Sequence, residues 1–293
     1  MLLTSVLLLL CAALLHAVTN ALMKQSQDKL AFAWWMLGVF CTAGFPSLFR
    51  IPDVPPLGWW IVFASGILEA VYFFVLARAY SSGDLSVVYP IARGSAPLFL
   101  LFWAIVFLKE RPSGIGICGI LLVVAGLYFI NLPSFSAWSR PLHTFRSAAT
   151  RWALLTGVLI SSYTAIDKVG VKYFPPFVYL YLILLICWTC LSIQWLFRDR
   201  RAALVREIQK TNSNKRSPVT WIIAASAFGT CSYLLVLAAM RLSPVSYVGP
   251  VREISVVFGS FIGVKFLGEP GGSLRIIASV FVALGILLIA MFG

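Results

Sequence analysis

Two arginines lie inside apolar stretches of the sequence, in the segments YPIARGSAPL and GPVRE. An ionised side chain costs at least about 2.5–3.5 kcal/mol in membrane hydrocarbon, so it usually faces a cavity or a partner. The guanidinium groups of Arg93 and Arg252 are planar forks of donors that suit a carboxylate, a phosphate or a phosphonate. Glu69 and Glu253 could each reach Arg93 and hold an amine nearby. We therefore predict a site for an anionic or zwitterionic molecule, such as an amino acid or an aminophosphonate; the alternative is an internal salt bridge that only holds helices together.

Prolines accompany both arginines, at Pro90, Pro97 and Pro250. Proline has no amide hydrogen, so each of these residues removes one helical hydrogen bond and frees the carbonyl four residues earlier. Broken backbone is tolerated inside a membrane where protein or water satisfies it. The pattern predicts helix breaks beside the arginines, and a simple bend for packing is the alternative.

Other polar residues are weaker candidates for the same site. His16 and Asn20 are four residues apart and share a face of the first apolar segment. The His16 ring could shuttle protons, or it could simply be hydrogen bonded within an apolar helix. Tyr72 and Tyr89 could line a cavity, although aromatic residues make up 14% of this chain. With two histidines in the sequence, we predict neither a metal nor a cofactor.

The elements that position these residues follow from the composition. The chain has 293 residues, is 60% hydrophobic and 11% charged, and has a mean hydropathy of +0.93. A soluble domain carries about twice that charged fraction. Since about 20 apolar residues cross a bilayer as a helix, we predict an all-α polytopic membrane protein with ten spans, at 2–23, 30–49, 57–77, 85–107, 113–130, 152–168, 176–197, 218–239, 245–267 and 273–292.

The two halves of the chain repeat the same order of features. At an offset of 160, Pro90 aligns with Pro250, and after a slip of one residue Glu110 aligns with Glu269. Each copy holds five predicted helices, and an odd number makes consecutive copies cross the membrane in opposite senses, as in many secondary transporters. The predicted units are residues 1–131 and 151–293, joined by a cytoplasmic linker at 132–150.

The positive charge is unevenly distributed between alternate loops. Of the 23 Lys and Arg residues, fifteen fall in the loop set that begins after the first helix and six in the other set. The basic loops of a membrane protein usually lie in the cytoplasm, which predicts that both termini face outward. The net charge of +13 is then a topology signal, and we do not expect a nucleic-acid partner.

Several segments resemble a known family. HAVTNALMK, GDLSVVYPIARGSAPL and PVREISVVFG, with LKE and LGE closing the paired helices, resemble the EamA-type branch of the drug/metabolite transporter superfamily. The GDLS-x-VYP-x-ARG run is similar to that of one bacterial subgroup. The resemblance implies two inverted five-helix halves around a cavity lined by helices 3, 4, 8 and 9, and transport of small polar metabolites across the bacterial inner membrane. Some relatives neighbour genes for phosphonate breakdown, which suggests a substrate.

Two features depart from that family. Its ten-helix members are usually drawn with both termini in the cytoplasm, and Glu69 stands where the subgroup has a histidine or a small residue.

These patterns favour a secondary active transporter, either an exporter or an exchanger. Its expected partners are a small-molecule substrate, the lipid bilayer, and a coupling proton or a counter-substrate, and it would act as a monomer or a homodimer. No ATP-binding motif occurs, so the energy would come from a gradient or from exchange. A membrane scaffold or receptor without transport, and an intramembrane enzyme that modifies lipids, are the alternatives; we expect no enzymatic activity.

Overall fold

The computed structural model describes residues 1–24, 26–82, 85–130, 132, 147–193, 195, 198–209, 217–266 and 273–293. These residues form helices and no strand. The helices are α1 (Leu3–Lys24), α2 (Lys29–Ala43), a 3₁₀ helix (Phe45–Arg50), α3 (Pro56–Ser82), α4 (Leu85–Val106), α5 (Gly114–Phe129), α6 (Ala148–Tyr173), α7 (Pro176–Ile193), α8 (Arg198–Gln209), α9 (Pro218–Leu242), α10 (Val245–Arg252), α11 (Ile254–Phe266) and α12 (Ser273–Phe292).

Six of the described helices are long and apolar enough to cross a membrane: α1, α3, α6, α7, α9 and α12. α3, with 27 residues, is about 40 Å long at 1.5 Å per residue. α2, α5 and the Ile91–Val106 part of α4 are shorter apolar helices. The prediction of an all-α polytopic membrane protein is confirmed.

Besides small shifts at helix ends, four predicted spans differ from the observed helices. The span predicted at 30–49 is divided into α2 and the 3₁₀ helix, and the one at 57–77 extends in α3 to Ser82. The other two lie near charged residues of the candidate site. The span predicted at 245–267 is divided into α10 and α11 at Glu253, and the span predicted at 152–168 extends in α6 to Tyr173. α6 begins at Ala148, inside the predicted linker, and residues 133–146 of that linker lie outside the described part of the chain. Both differences change where charged residues lie along their helices.

The largest helix contacts join the first five helices to the rest of the chain. α5 packs on α12, α3 and α4 pack on α6, and α1 packs on α9 and α11. At the α5–α12 crossing, a Cβ added to Gly119 would lie 2.7 Å from the Gly285 carbonyl oxygen. The two backbones approach so closely because neither position carries a side chain.

The two ends of the chain meet at one face of the molecule, which we call the terminal face. The Met1 ammonium donates to the Gly293 carbonyl oxygen at 2.6 Å. Beside them, Ser113 Oγ, at the start of α5, donates to the Phe292 carbonyl oxygen at 2.6 Å. α1 and α12 therefore begin and end, respectively, on the same side.

α8 lies at the face opposite the chain ends, because it contacts the loop where α1 ends and α2 begins. The Glu207 carboxylate accepts hydrogen bonds from the backbone amides of Gln27 at 3.1 Å and Asp28 at 3.0 Å. Trp35 Nε1 donates to the Leu204 carbonyl oxygen at 3.1 Å. The basic segment RDRRAALVREIQ thus forms a helix anchored to α2.

Candidate functional site

The structure brings the two arginines to one carboxylate. Arg93 Nη1 lies 3.2 Å from Glu253 Oε1 and 3.4 Å from Oε2, and Arg252 Nη2 lies 3.9 Å from Oε1. On the other side, Arg93 Nη2 lies 3.4 Å from His16 Nε2. The side chain of Glu253 is 3% exposed, and those of Arg93 and Arg252 are 16% and 12% exposed. We call these four residues the arginine cluster; they come from α1, α4 and the α10–α11 junction.

The turn between α10 and α11 explains how Glu253 serves both arginines. In a continuous helix, consecutive side chains point about 100° apart, so Glu253 would point away from Arg252. Instead the Glu253 amide donates to the Pro250 carbonyl oxygen at 3.1 Å, three residues back, and the α-helix stops there. The tightened turn lets the carboxylate reach the adjacent guanidinium group.

The prolines act differently in the two halves. The break that follows Pro250 occurs at Glu253, three residues later. α4, by contrast, runs from Leu85 to Val106 through Pro90 and Pro97, so the predicted breaks at those two prolines are not found. A proline removes one hydrogen bond, but the helix continues where the neighbouring residues keep helical dihedral angles. The side chains of Tyr89 and Pro90 lie outside the described part of the structure.

A second polar cluster surrounds Asp167 of α6, which is fully buried. Its Oδ1 accepts hydrogen bonds from the hydroxyls of Ser65 of α3 and Tyr179 of α7, the latter at 2.7 Å, and its Oδ2 accepts one from Tyr233 of α9. The Tyr233 ring in turn lies under the Arg252 guanidinium carbon, at 5.9 Å. Tyr233 therefore links the Asp167 cluster to the arginine cluster.

Sequence reasoning missed the Asp167 cluster. The span predicted at 152–168 places Asp167 next to its last residue, where a charged side chain would be near the membrane surface. The real helix continues to Tyr173, which leaves Asp167 six residues inside it. The signal that could have found it is the sequence GVKY, which has no helix stop before the proline pair at Pro175 and Pro176.

The remaining predicted residues are placed as follows. Glu69 Oε2 is buried without a hydrogen-bond partner, and Glu69 interacts electrostatically with both Asp167 and Arg252. The Tyr72 ring packs edge-on against Tyr163 of α6 with centroids 5.9 Å apart. Asn20 is exposed.

A small cavity adjoins the arginine cluster between α4, α6 and α10. It is lined by residues that include Pro97, Thr164, Arg252 and Glu253, and its volume is about 10 Å³. Such a volume holds at most about one water molecule. This cavity is therefore too small for a metabolite, and we call this conformation closed; a metabolite would enter the cavity after the helices move apart.

Nearly the whole chain matches the model of one protein family. The model of the EamA-like transporter family matches residues 3–132 and 148–291. The chain belongs to the EamA-like transporter family. It is thus a member of a family of multi-pass membrane transporters.

Two other comparisons are less specific. One solved structure, described as "Crystal structure of protein", matches with a TM-score of 0.66 and 14% identity over 99% of each chain, which supports the fold alone. No curated protein matches in sequence.

Proposed function

We propose that this chain is a secondary active transporter, an exporter or exchanger, of a small anionic or zwitterionic metabolite such as an amino acid or an aminophosphonate. The supporting observation is the convergence of Arg93 and Arg252 on the Glu253 carboxylate. Each arginine belongs to a different predicted half. A substrate carboxylate presents the same two acceptor oxygens as Glu253, and a phosphonate presents three, so either group can replace Glu253 as their partner.

The position of Glu253 connects this exchange of partners to movement. Glu253 forms the turn that joins α10 to α11, and its carboxylate contacts Arg93 of the other half. An anion that takes over Arg93 releases this contact between the halves. We propose that two inverted five-helix halves, 1–131 and 151–293, then rock about the cluster and expose it to alternate sides.

The distribution of charge supports an orientation in a bacterial inner membrane. α8 carries arginines at its exposed surface, among them Arg201 and Arg206, and it lies opposite the terminal face. Basic loops favour the cytoplasm. We propose that α8 is cytoplasmic and that both termini face outward.

The test is flux of labelled compounds into proteoliposomes that contain the purified protein. The panel holds acidic, neutral and basic amino acids and 2-aminoethylphosphonate, each with the unlabelled compound or a proton gradient as driving force. Arg93→Ala and Arg252→Ala should each reduce transport about tenfold or more, since hydrogen bonds to charged groups contribute about 1.5–3 kcal/mol. Arg241→Ala, at the exposed end of α9, is the matched control and should transport normally.

Two results would refute the proposal. One is wild-type flux in both cluster variants for the compound that is transported. The other is transport restricted to the cationic members of the panel, because two guanidinium groups repel a cation.

A further inference from the structure

We infer that Asp167 is a proton-binding site and that Tyr233 transmits its protonation state to Arg252. The proton is the coupling ion of the transporter proposed above, so the coupling role, although not the binding itself, rests on that function. The Asp167 cluster lies next to the arginine cluster but is not part of the anion site proposed there.

The two oxygens of Asp167 have different surroundings. Oδ1 accepts two hydrogen bonds, from Ser65 and Tyr179. Oδ2 accepts one, from Tyr233. A carboxylate oxygen has two lone-pair sites, so Oδ2 has a site left for a proton while Oδ1 is saturated. Protonation is therefore expected at Oδ2.

A proton on Oδ2 changes what Tyr233 can do. The proton takes the free lone-pair site, so the Tyr233 hydroxyl still donates to Oδ2, but now to a neutral oxygen. A hydrogen bond to a charged acceptor is about twice as strong as one to a neutral acceptor. Protonation of Asp167 therefore weakens the hydrogen bond that holds the Tyr233 hydroxyl.

Tyr233 also carries the change to the arginine cluster. Its ring lies 5.9 Å from the Arg252 guanidinium carbon, a distance at which a cation is attracted to the ring face. The weaker hydrogen bond leaves the ring freer to move relative to Arg252, and protonation also removes the negative charge of Asp167 that acts on Arg252. Proton binding at Asp167 thereby alters the guanidinium group that shares Glu253 with Arg93.

Several titratable or charged groups face Asp167 from the surrounding helices. They are Glu69 of α3, Tyr179 of α7, Tyr233 of α9 and Arg252 of α10. Of these, Glu69 is the second carboxyl group and hence the other candidate for the proton. The experiment must therefore separate Asp167 from Glu69.

The cluster suits a proton better than a metal ion. All three hydroxyls direct their hydrogens at Asp167, whereas a cation would need their lone pairs. Within the described residues, no group of three His, Cys, Asp or Glu side chains could hold a metal ion. One turn before Asp167 on the same face of α6, Thr164 is 1% exposed, has no hydrogen-bond partner and lines the cavity beside Arg252.

The test is infrared difference spectroscopy of the purified full-length protein in lipid, with pH as the variable and the proton as the probe. The wild type should show a carboxylic acid C=O band that appears on acidification and is unaffected by sodium. Asp167→Asn, which keeps the size of the side chain, should lose that band. Glu69→Gln and Glu253→Gln should keep it.

Tyr233→Phe provides a second variant that leaves the carboxyl group in place. It should shift the frequency of the band and the pH at which it appears, because it removes the partner of Oδ2. Tyr181→Phe is the matched control, since that buried hydroxyl donates to the Cys41 carbonyl oxygen at 3.2 Å, away from Asp167. The band should not change in this variant.

The inference is wrong if the band persists in Asp167→Asn, if it disappears in Glu69→Gln instead, or if sodium rather than pH controls it. These readings need no transported compound, so they remain valid if the flux experiment fails. Where flux is found, Asp167→Asn should exchange labelled for unlabelled compound but lose at least tenfold of the accumulation driven by a proton gradient. Unchanged accumulation would refute the coupling role alone.

Discussion

Glu253 is the most constrained charge of the arginine cluster, because its buried carboxylate is shared by two guanidinium groups. Removing one member of a buried ion pair is costly, since the partner charge stays buried without compensation. Replacing the pair is much less costly. The carboxylate therefore stabilises the closed conformation as well as the proposed site.

We expect Glu253→Ala to destabilise the protein by about 3–5 kcal/mol. Glu253→Gln keeps an acceptor oxygen in the same place and should lose less. Thermal unfolding of the purified variants in detergent measures both effects. The double variant Arg93→Met/Glu253→Gln should be more stable than the sum of the two single losses predicts; strict additivity would show that the contact contributes nothing.

At this scale, the sequence reveals some site residues and not others. Arg93 and Arg252 stand out because a charge in an apolar segment is rare and the repeat aligns their segments. Asp167 does not, since its three hydroxyl partners are on separate helices and no spacing along the chain connects them. Contacts between helices depend on packing, which a single sequence does not encode visibly.

Among the helices, α10 is short, and polar contacts fix its position at both ends. At its beginning, Glu110 accepts from the amides of Val245 at 2.8 Å and Ser246 at 3.0 Å. At its end, the junction residue Glu253 binds Arg93. Both anchors belong to the first half of the chain. A movement that opens the terminal face must pull α10 away from Glu110.

Removing the first anchor should weaken this closed arrangement. We expect Glu110→Ala to cost about 1 kcal/mol, which is typical for the loss of a helix cap. Thermal unfolding provides the measurement. Arg111→Ala, an exposed neighbour on the same segment, is the control and should leave the unfolding temperature unchanged; equal effects would mean that the cap has no special role.

The crossing of α5 and α12 offers a second prediction at the level of elements. A Cβ on Gly119 would lie 2.7 Å from a backbone oxygen of Gly285, whereas a Cβ on Gly114 would meet nothing within 4 Å. Gly119→Ala should therefore destabilise the protein by about 1–3 kcal/mol. Gly114→Ala should be neutral or slightly stabilising. Equal unfolding temperatures for the two variants would contradict the close approach.

The existence of the helices follows from apolar length, but their interruptions do not. Proline chemistry predicted breaks in both arginine segments, yet α4 is continuous and the α10–α11 break falls at Glu253. A helix break needs a proline and, in addition, partners for the backbone groups that lose their helical hydrogen bonds. Here the arginines hold Glu253 in the turn, and that stabilisation is invisible in the local sequence.

For the whole molecule, contacts between the halves occur in matching pairs. α1 packs on α9 as α3 packs on α6, and α1 packs on α11 as α4 packs on α6. If α6 corresponds to α1 and α9 to α3, each contact has its counterpart in the other half. The alignment of the two sequence segments predicts the same correspondence at low identity, and the inverted repeat stays a prediction. The orientation of the two predicted halves in the membrane depends on the charge of the loops.

Orientation can be measured with reporters fused after Gly293. With outward-facing termini, we expect a C-terminal alkaline phosphatase fusion to be active and a green fluorescent protein fusion to be dark. The physical reason is the surplus of basic residues in the loops on the side of α8. An inactive phosphatase with a fluorescent counterpart would place the termini in the cytoplasm.

The meeting of Met1 and Gly293 has a practical consequence. A short peptide linker can join the two ends, and the chain can be opened between residues 132 and 147 instead. Such a circular permutant would be synthesised with the segment 147–293 first and would interrupt none of the described helices. Permutation is tolerated in domains whose two ends lie close together. The order in which the helices are synthesised could then be changed while their packing in the folded protein stays the same.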